Sequence, residues 1–181
     1  MSTHIGLLRA INLGAHNRIA MPGLRELLTK LGMQEPQTLL QSGNVVFGGA
    51  ARTTKQLEKL FEDATAKQLG VTTDYFVRTA GEWQAIIADN PFPKEAKLDP
   101  GHTVLMCLKD APAAADVKAL QEAIKGREVV KAKGRHAYFL YPDGIGTSKL
   151  TIKLIEKKLG TTGTARNWNT VLKLGALTEK S

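Results

Sequence analysis

Cysteine occurs once in this chain of 181 residues, at Cys107. A single thiol excludes a disulfide within the chain, so nothing in the cysteine content asks for an oxidising compartment. Long apolar runs are missing too: no stretch approaches the ~20 residues that span a bilayer. The N-terminus lacks the basic start, apolar stretch and small-residue cleavage site of a signal peptide. The expectation is a cytosolic protein with no membrane partner. Catalytic punctuation is absent as well. There is no H-E-x-x-H, G-x-S-x-G or S-x-x-K, and Gly144-Ile145-Gly146 lacks the third glycine and downstream acid of a dinucleotide fingerprint. His4, His16, His102 and His136 are scattered, and Cys107 lies among apolar residues. No metal site is expected, and no cofactor is indicated.

What the chain does have is an uneven charge. Its formal net charge is +8. Between Lys125 and Lys173 stand 11 Lys and Arg against 3 Asp and Glu, while the remaining residues hold 14 of each sign. The whole excess lies in one stretch. A field of one sign concentrates anionic partners and speeds their capture; a solvated, solubilising face gives the same composition.

The apolar spacing describes two similar halves. Residues 3–9 read as a buried strand. A helix follows with Pro22 in its first turn and Leu24, Leu27, Leu28 and Leu31 at helical spacing, stopped by Gly32. Thr38–Gln41 and Val45–Phe47 flank Ser42-Gly43-Asn44 as a hairpin. Thr53 or Thr54 caps a second helix through Leu57, Leu60, Phe61 and Ala64, and residues 73–78 read as a strand. This is the β-α-β-β-α-β order of a split βαβ arrangement. A short helix at about residues 82–88 then runs into the stiff connector Asn90-Pro91-Phe92-Pro93.

The second half repeats the pattern. It has a strand at 104–108, a helix at 113–125, a hairpin of 128–133 and 136–141 across Gly134, and a helix capped by Ser148. Its fourth strand is not evident; Gly160–Ala165 is at most a short one, before a final helix from about 167 to 177. The fold class expected is α+β, a duplicated arrangement with a modified second copy.

Candidate binding groups sit at the ends of these elements, where rigid scaffolds place them. The loop after the first strand offers Arg9, Asn12, Asn17 and Arg18, although Asn and Gly also serve turns for local reasons. Gln41 and Asn44 flank a hairpin turn and would stand near the mouth of a sheet. Asp143–Lys149 links a strand to a helix, so Ser148 and Lys149 either join an anion nest at helix amides or belong to a capped turn. Lys149, Lys153 and Lys157 share one helical face.

Thr164-Ala165-Arg166-Asn167-Trp168-Asn169-Thr170 is the most concentrated polar run. Arg brings a planar five-donor fork, each Asn donates and accepts, and Trp offers a large apolar face. In the structural alternative, Asn167 caps the last helix and Trp168 packs inward, which leaves Arg166 and Asn169 as the preferred ligand contacts.

Three stretches taken together, Leu7–Gly14, Gln41–Phe47 and Ala165–Val171, resemble the bacterial domain-of-unknown-function family 1697. With Asn90-Pro91-Phe92-Pro93, the resemblance runs the length of the chain. It implies two ferredoxin-like, α/β-plait subdomains in tandem, residues 1–98 and 99–181, the second modified by an extra C-terminal helix. The family carries no established activity, so the resemblance assigns no catalytic role. This chain departs from the family's pattern at Ala10, where Gly is usual, and at Gly14-Ala15, where a Gly pair is usual. If those glycines serve close approach to a ligand, the methyls alter the site; if they serve only the turn, Ala10 implies an ordinary backbone angle.

Three functions compete. The first is binding of a phosphorylated or nucleotide-like anion, with arginines and asparagines converging between the halves. The second is nucleic-acid binding through the basic C-terminal half. RNA-recognition domains of this plait stack bases on sheet-face aromatics within a definite motif, which Val45-Val46-Phe47 lacks, and aromatics are only 6% of the chain. The third is a metal-independent enzyme acting on a phosphorylated small molecule.

Overall fold

Thr3–Leu8, the first strand (β1), is buried at every position, so its sheet is covered on both faces along this strand. The computed structural model describes residues 2–49 and 51–179. The chain forms two compact units, Met1–Ala88 with Lys173–Ser181, and Asp89–Leu172.

In the first unit β1 leads to α1 (Met21–Lys30), β2 (Gln34–Leu39), β3 (Asn44–Gly48), α2 (Thr54–Ala64), β4 (Tyr75–Thr79) and α3 (Ala80–Ala88). The sheet is antiparallel in the order β2-β3-β1-β4. Pro22 stands in the first turn of α1, where its missing N–H costs nothing, and Leu24, Leu27 and Leu28 turn inward. Thr53 caps α2 in a capping box: its hydroxyl accepts from the Gln56 amide (3.1 Å) and the Gln56 side chain accepts from the Thr53 amide (3.0 Å). A π-helical turn at Thr65–Leu69 ends at Gly70, whose φ is +67°. Leu8, Val45, Phe47 and Val77 on the sheet meet Leu24, Leu28, Leu57 and Phe61 on the helices as one core.

The second strand starts earlier than the apolar pattern predicts, at Gln34 instead of Thr38. Pro36 interrupts that pattern, and the pairing with β3 shifts register between Gln34 and Gln37. An edge strand tolerates both, since a proline there forfeits no central ladder bond.

The opposite edge, β4, is guarded by carboxylates. The amides of Tyr75, Val77 and Thr79 donate to Glu62 (2.9 Å), Glu58 (2.8 Å) and Glu82 (3.0 Å). Such capping leaves few open N–H groups to recruit another strand. Arg78 reaches the same Glu58 carboxylate at 3.6 Å, with both side chains nearly excluded from water.

The second unit holds α4 (Pro93–Leu98), a 3-10 turn at Pro100–His102, β5 (Thr103–Leu108), α5 (Ala114–Ala123), β6 (Val129–Lys133), β7 (His136–Leu140), α6 (Ile152–Leu159) and β8 (Gly163–Asn167). Then comes α7 (Trp168–Glu179), whose residues from Lys173 onward belong to the first unit. The sheet order is β6-β7-β5-β8, again antiparallel.

The fourth strand, not evident in the sequence, is therefore present. It pairs along β5 from Val104 opposite Asn167 to Leu108 opposite Gly163. Gly-Thr-Ala-Arg-Asn carries no alternation of apolar residues, which hid it. Its glycine is required, because a Cβ on Gly163 would lie 2.7 Å from the Met106 side chain and 2.8 Å from the Cys107 carbonyl. The chain is thus a mixed α+β protein with two four-stranded antiparallel sheets, each in β-α-β-β-α-β order.

Candidate ligand-binding site

The first-unit candidates are largely engaged in building their own loops. Asn12, at φ +57°, donates through Nδ2 to the carbonyls of Ile19 (3.1 Å) and Gln41 (2.7 Å), and its Oδ1 accepts from the Ile19 amide (2.9 Å). It ties the 9–20 loop closed and fastens it to the turn after β2. Asn44 is fully buried and donates to the Leu39 carbonyl (2.7 Å) and the Ser42 hydroxyl (3.2 Å). Gln41, Asn17 and Arg18 are exposed, and Arg18 folds onto the Gly14 carbonyl at 2.8 Å. Arg9 is half-buried; its amide donates to Asp74 O (3.0 Å) and its carbonyl accepts from the Thr73 hydroxyl (2.6 Å).

The hairpin glycine is structural. Gly43 has φ +90°, and a Cβ there would meet Ile11 and Leu8 at 2.8–2.9 Å. Ala10 corrects an expectation: its φ of +52° is left-handed, not ordinary. The turn keeps a conformation that suits glycine, with a methyl group in place.

The C-terminal run is spent in a similar way. Asn167 ends β8 and its Oδ1 accepts from the Thr170 amide (3.1 Å), capping α7. Trp168 is 5% exposed, its ring 6.4 Å from that of Tyr138. Arg166 donates from Nη1 to the Thr164 hydroxyl and the Ala165 carbonyl, each at 2.8 Å. Burial of its guanidinium pushes the pKa down to about 10, against a smaller opposing effect of Cys107. Asn169 faces solvent.

Ser148 and Lys149 lead to a cavity. Ser148 does not cap α6, as its position before the helix predicts; Thr151 does, its hydroxyl accepting from the Leu154 amide at 3.2 Å. The segment Asp143–Lys149 therefore stops short of the helix amides. Ser148 instead donates to a Glu128 carboxylate oxygen at 2.6 Å and accepts from the Leu150 amide at 3.1 Å. Glu128 and Lys149, with Lys125, Gly126, Ala123, Ile124, Leu150 and Leu154, line a cavity of about 290 Å³. It lies between the end of α5 and the start of α6. Lys125 and Lys149 are exposed, Ile124 and Leu154 half-buried, and Leu150 buried. The floor is apolar, and the cations stand at the opening.

The family description "Protein of unknown function (DUF1697)" matches residues 1–138. The chain belongs to this family. The matched residues include Lys125 and Glu128 and end before Lys149 and the Thr164–Thr170 run. A search of curated proteins gave no match. Among solved structures, the conserved bacterial protein SP0830 of Streptococcus pneumoniae is similar over 98% of both chains, with a TM-score of 0.75 at 21% identity. At that identity the likeness concerns the fold.

For this DUF1697 chain, sequence reading reached one side of the cavity and missed the other. Lys125, Gly126 and Glu128 lie some twenty residues from Ser148 and join it only through the packing of α5 against α6. Of these only Lys125 was signalled, as one of the basic residues in excess between 125 and 173. A smaller cavity of about 160 Å³, lined by Leu98, Leu140 and Tyr141, also holds Asp99 and His102, whose side chains meet at 2.9 Å. Neither residue stood out in the sequence. Among the described residues no group of three or more His, Cys, Asp or Glu side chains is placed to hold a metal, and no helix is long and apolar enough to cross a membrane.

Proposed function

We propose that this protein binds a phosphorylated or nucleotide-like anionic small molecule in the cavity between α5 and α6. The observation that carries the reading is the pair Lys125 and Lys149 at the opening of an apolar-floored cavity of about 290 Å³. Pockets of roughly this size, mostly apolar with a few convergent polar groups, are the usual form of a small-molecule site. Two ammonium groups supply the anion contact, and the basic stretch from Lys125 to Lys173 adds a field of the same sign. Each unit is read as a ferredoxin-like plait, and the protein as cytoplasmic.

The burial of the aromatic residues favours this reading over nucleic-acid binding. All ten, from Phe47 to Trp168, are at most 6% exposed, so none offers a face on which a base can stack.

A thermal-shift screen against nucleotides, sugar phosphates, inorganic anions and short oligonucleotides tests the reading. A ligand at a hundred times its Kd stabilises by about 2.7 kcal/mol, a rise of roughly 5–11 °C for a chain of this size. The expected result is a rise with small phosphorylated compounds that is lost in K125E/K149E. A shift confined to oligonucleotides and weakened by salt would replace the reading with the nucleic-acid one.

A further inference from the structure

The walls of the α5–α6 cavity say more about its ligand than the lysines do. Leu150 is buried and Ile124 and Leu154 are half-buried, while Lys125 and Lys149 stay exposed. The remaining charge, Glu128, is fixed. Ser148 holds its carboxylate at 2.6 Å, and the carboxylate lies so close over Gly126 that a Cβ there would collide with it. Gly126, over which this carboxylate stands, is exposed, so the carboxylate shares the outer side of the cavity with the two ammonium groups, which outnumber it and leave that side with a net positive charge. A wholly polar phosphate ester would leave the apolar walls unfilled and lose the favourable burial they offer. Further apolar surface lies on the segment that enters α6, where Ile145 and Ile152 are 47% and 38% exposed on either side of Lys149 in the sequence.

We propose that the ligand is an anionic amphiphile, bound as a single molecule, with one aliphatic tail against Ile124, Leu150 and Leu154 and a phosphate group at Lys125 and Lys149. This rests on the reading of the cavity as an anion site and adds the class of molecule. The tail gives the affinity, since each buried methylene contributes a fixed increment. The phosphate gives the orientation, because the cations that line the cavity are the two exposed lysines.

Isothermal titration of the full chain with butyl, hexyl and octyl phosphate, each below its aggregation threshold, tests the idea against inorganic phosphate and octanol. The expected result is a Kd that tightens roughly fourfold per methylene until the cavity is full, with inorganic phosphate and octanol both much weaker. In K125E/K149E, a surface double variant, octyl phosphate should fall toward the affinity of octanol. Leu154→Trp should flatten the dependence on chain length by occupying the space. If inorganic phosphate and all alkyl phosphates bind alike, the amphiphile is wrong and the anion site stands. If none of them binds, and nucleotides and sugar phosphates also fail, the anion site falls with it. Equal binding of octanol and octyl phosphate would overturn the role of the lysines. Binding to vesicles of anionic phospholipid without binding of any monomer would replace the cavity with a membrane-surface contact.

Discussion

Arg78 and Arg166 hold the same position in two different sheets. Arg78 stands opposite Ile5, the third residue of β1, and Arg166 opposite Leu105, the third residue of β5. Each folds back so that Nη1 donates to the carbonyl of the residue before it, at 2.9 Å to Val77 and 2.8 Å to Ala165. The first residues of the two strands correspond as well. The Tyr75 amide donates to Glu62 of α2, and the Gly163 amide to Glu156 of α6, both at 2.9 Å. The correspondence between the two sheets thus extends from the order of elements to the way each edge strand is tied down.

The ion pair of Arg78 and Glu58 is nearly excluded from water, at 2% and 3% exposure. Removing one partner strands the other, so R78M should lose about 3–5 kcal/mol, and R78M/E58L should recover part of that loss. Urea unfolding of the two variants measures the difference. An R78M chain as stable as its parent would show that the pair carries no such load.

Glu62 and Glu82 should matter for association as well as stability. E62A/E82A leaves the Tyr75 and Thr79 amides at the sheet edge without their carboxylates. Each unmade bond costs roughly 1–3 kcal/mol where the amide is buried, and an open strand edge invites pairing with another chain. Light scattering at rising concentration should detect oligomers in the double variant that the parent lacks.

Ala10 and Gly43 should respond in opposite directions. Ala10 sits at φ +52°, where an L-residue costs roughly 1–2 kcal/mol relative to glycine. A10G should therefore stabilise by about 1 kcal/mol. G43A should destabilise, because φ is +90° and the new methyl meets Ile11 and Leu8. Paired denaturation curves decide both.

His4 should make stability fall in mild acid. It is buried against Phe47, with ring centroids 5.6 Å apart and nearly parallel. Its Nδ1 has no hydrogen-bond partner. Burial lowers its pKa below 6.5, an effect that Glu82 partly opposes. The unfolded chain therefore takes up the proton first. The His4 contribution is fully present above about pH 6.5 and is lost as pH falls through the lower, folded-state value. His4→Phe should flatten that part of the stability profile, and an unchanged profile would mean that the ring does not titrate there.

Much of the fold is legible in local spacing. Leu24, Leu27 and Leu28 announce α1, Leu57, Phe61 and Ala64 announce α2, and Ser42-Gly43-Asn44 announces the first hairpin. The misses have local causes. Pro36 broke the pattern of β2, and Gly163–Asn167 has none, since its place as a strand comes from pairing with β5. The candidate site was half legible. Ser148 and Lys149 lie in a run whose chemistry is visible, whereas Lys125 and Glu128 become its neighbours only when α5 packs on α6.

By itself the sequence determined the element order of the first half, the α+β class and the placement of all excess charge in one stretch, because these depend on composition and near-neighbour periodicity. Only the tertiary structure decided which polar side chains remain available. Asn12, Asn44 and Asn167 could be read from the sequence as ligand contacts or as turn and cap residues, and each turns to a backbone group of its own unit. Lys125 and Lys149 remain in solvent beside an apolar cavity. The reason is physical. A side-chain amide bonds whichever carbonyl or N–H the fold brings within about 3 Å, and that partner is chosen by the path of the chain.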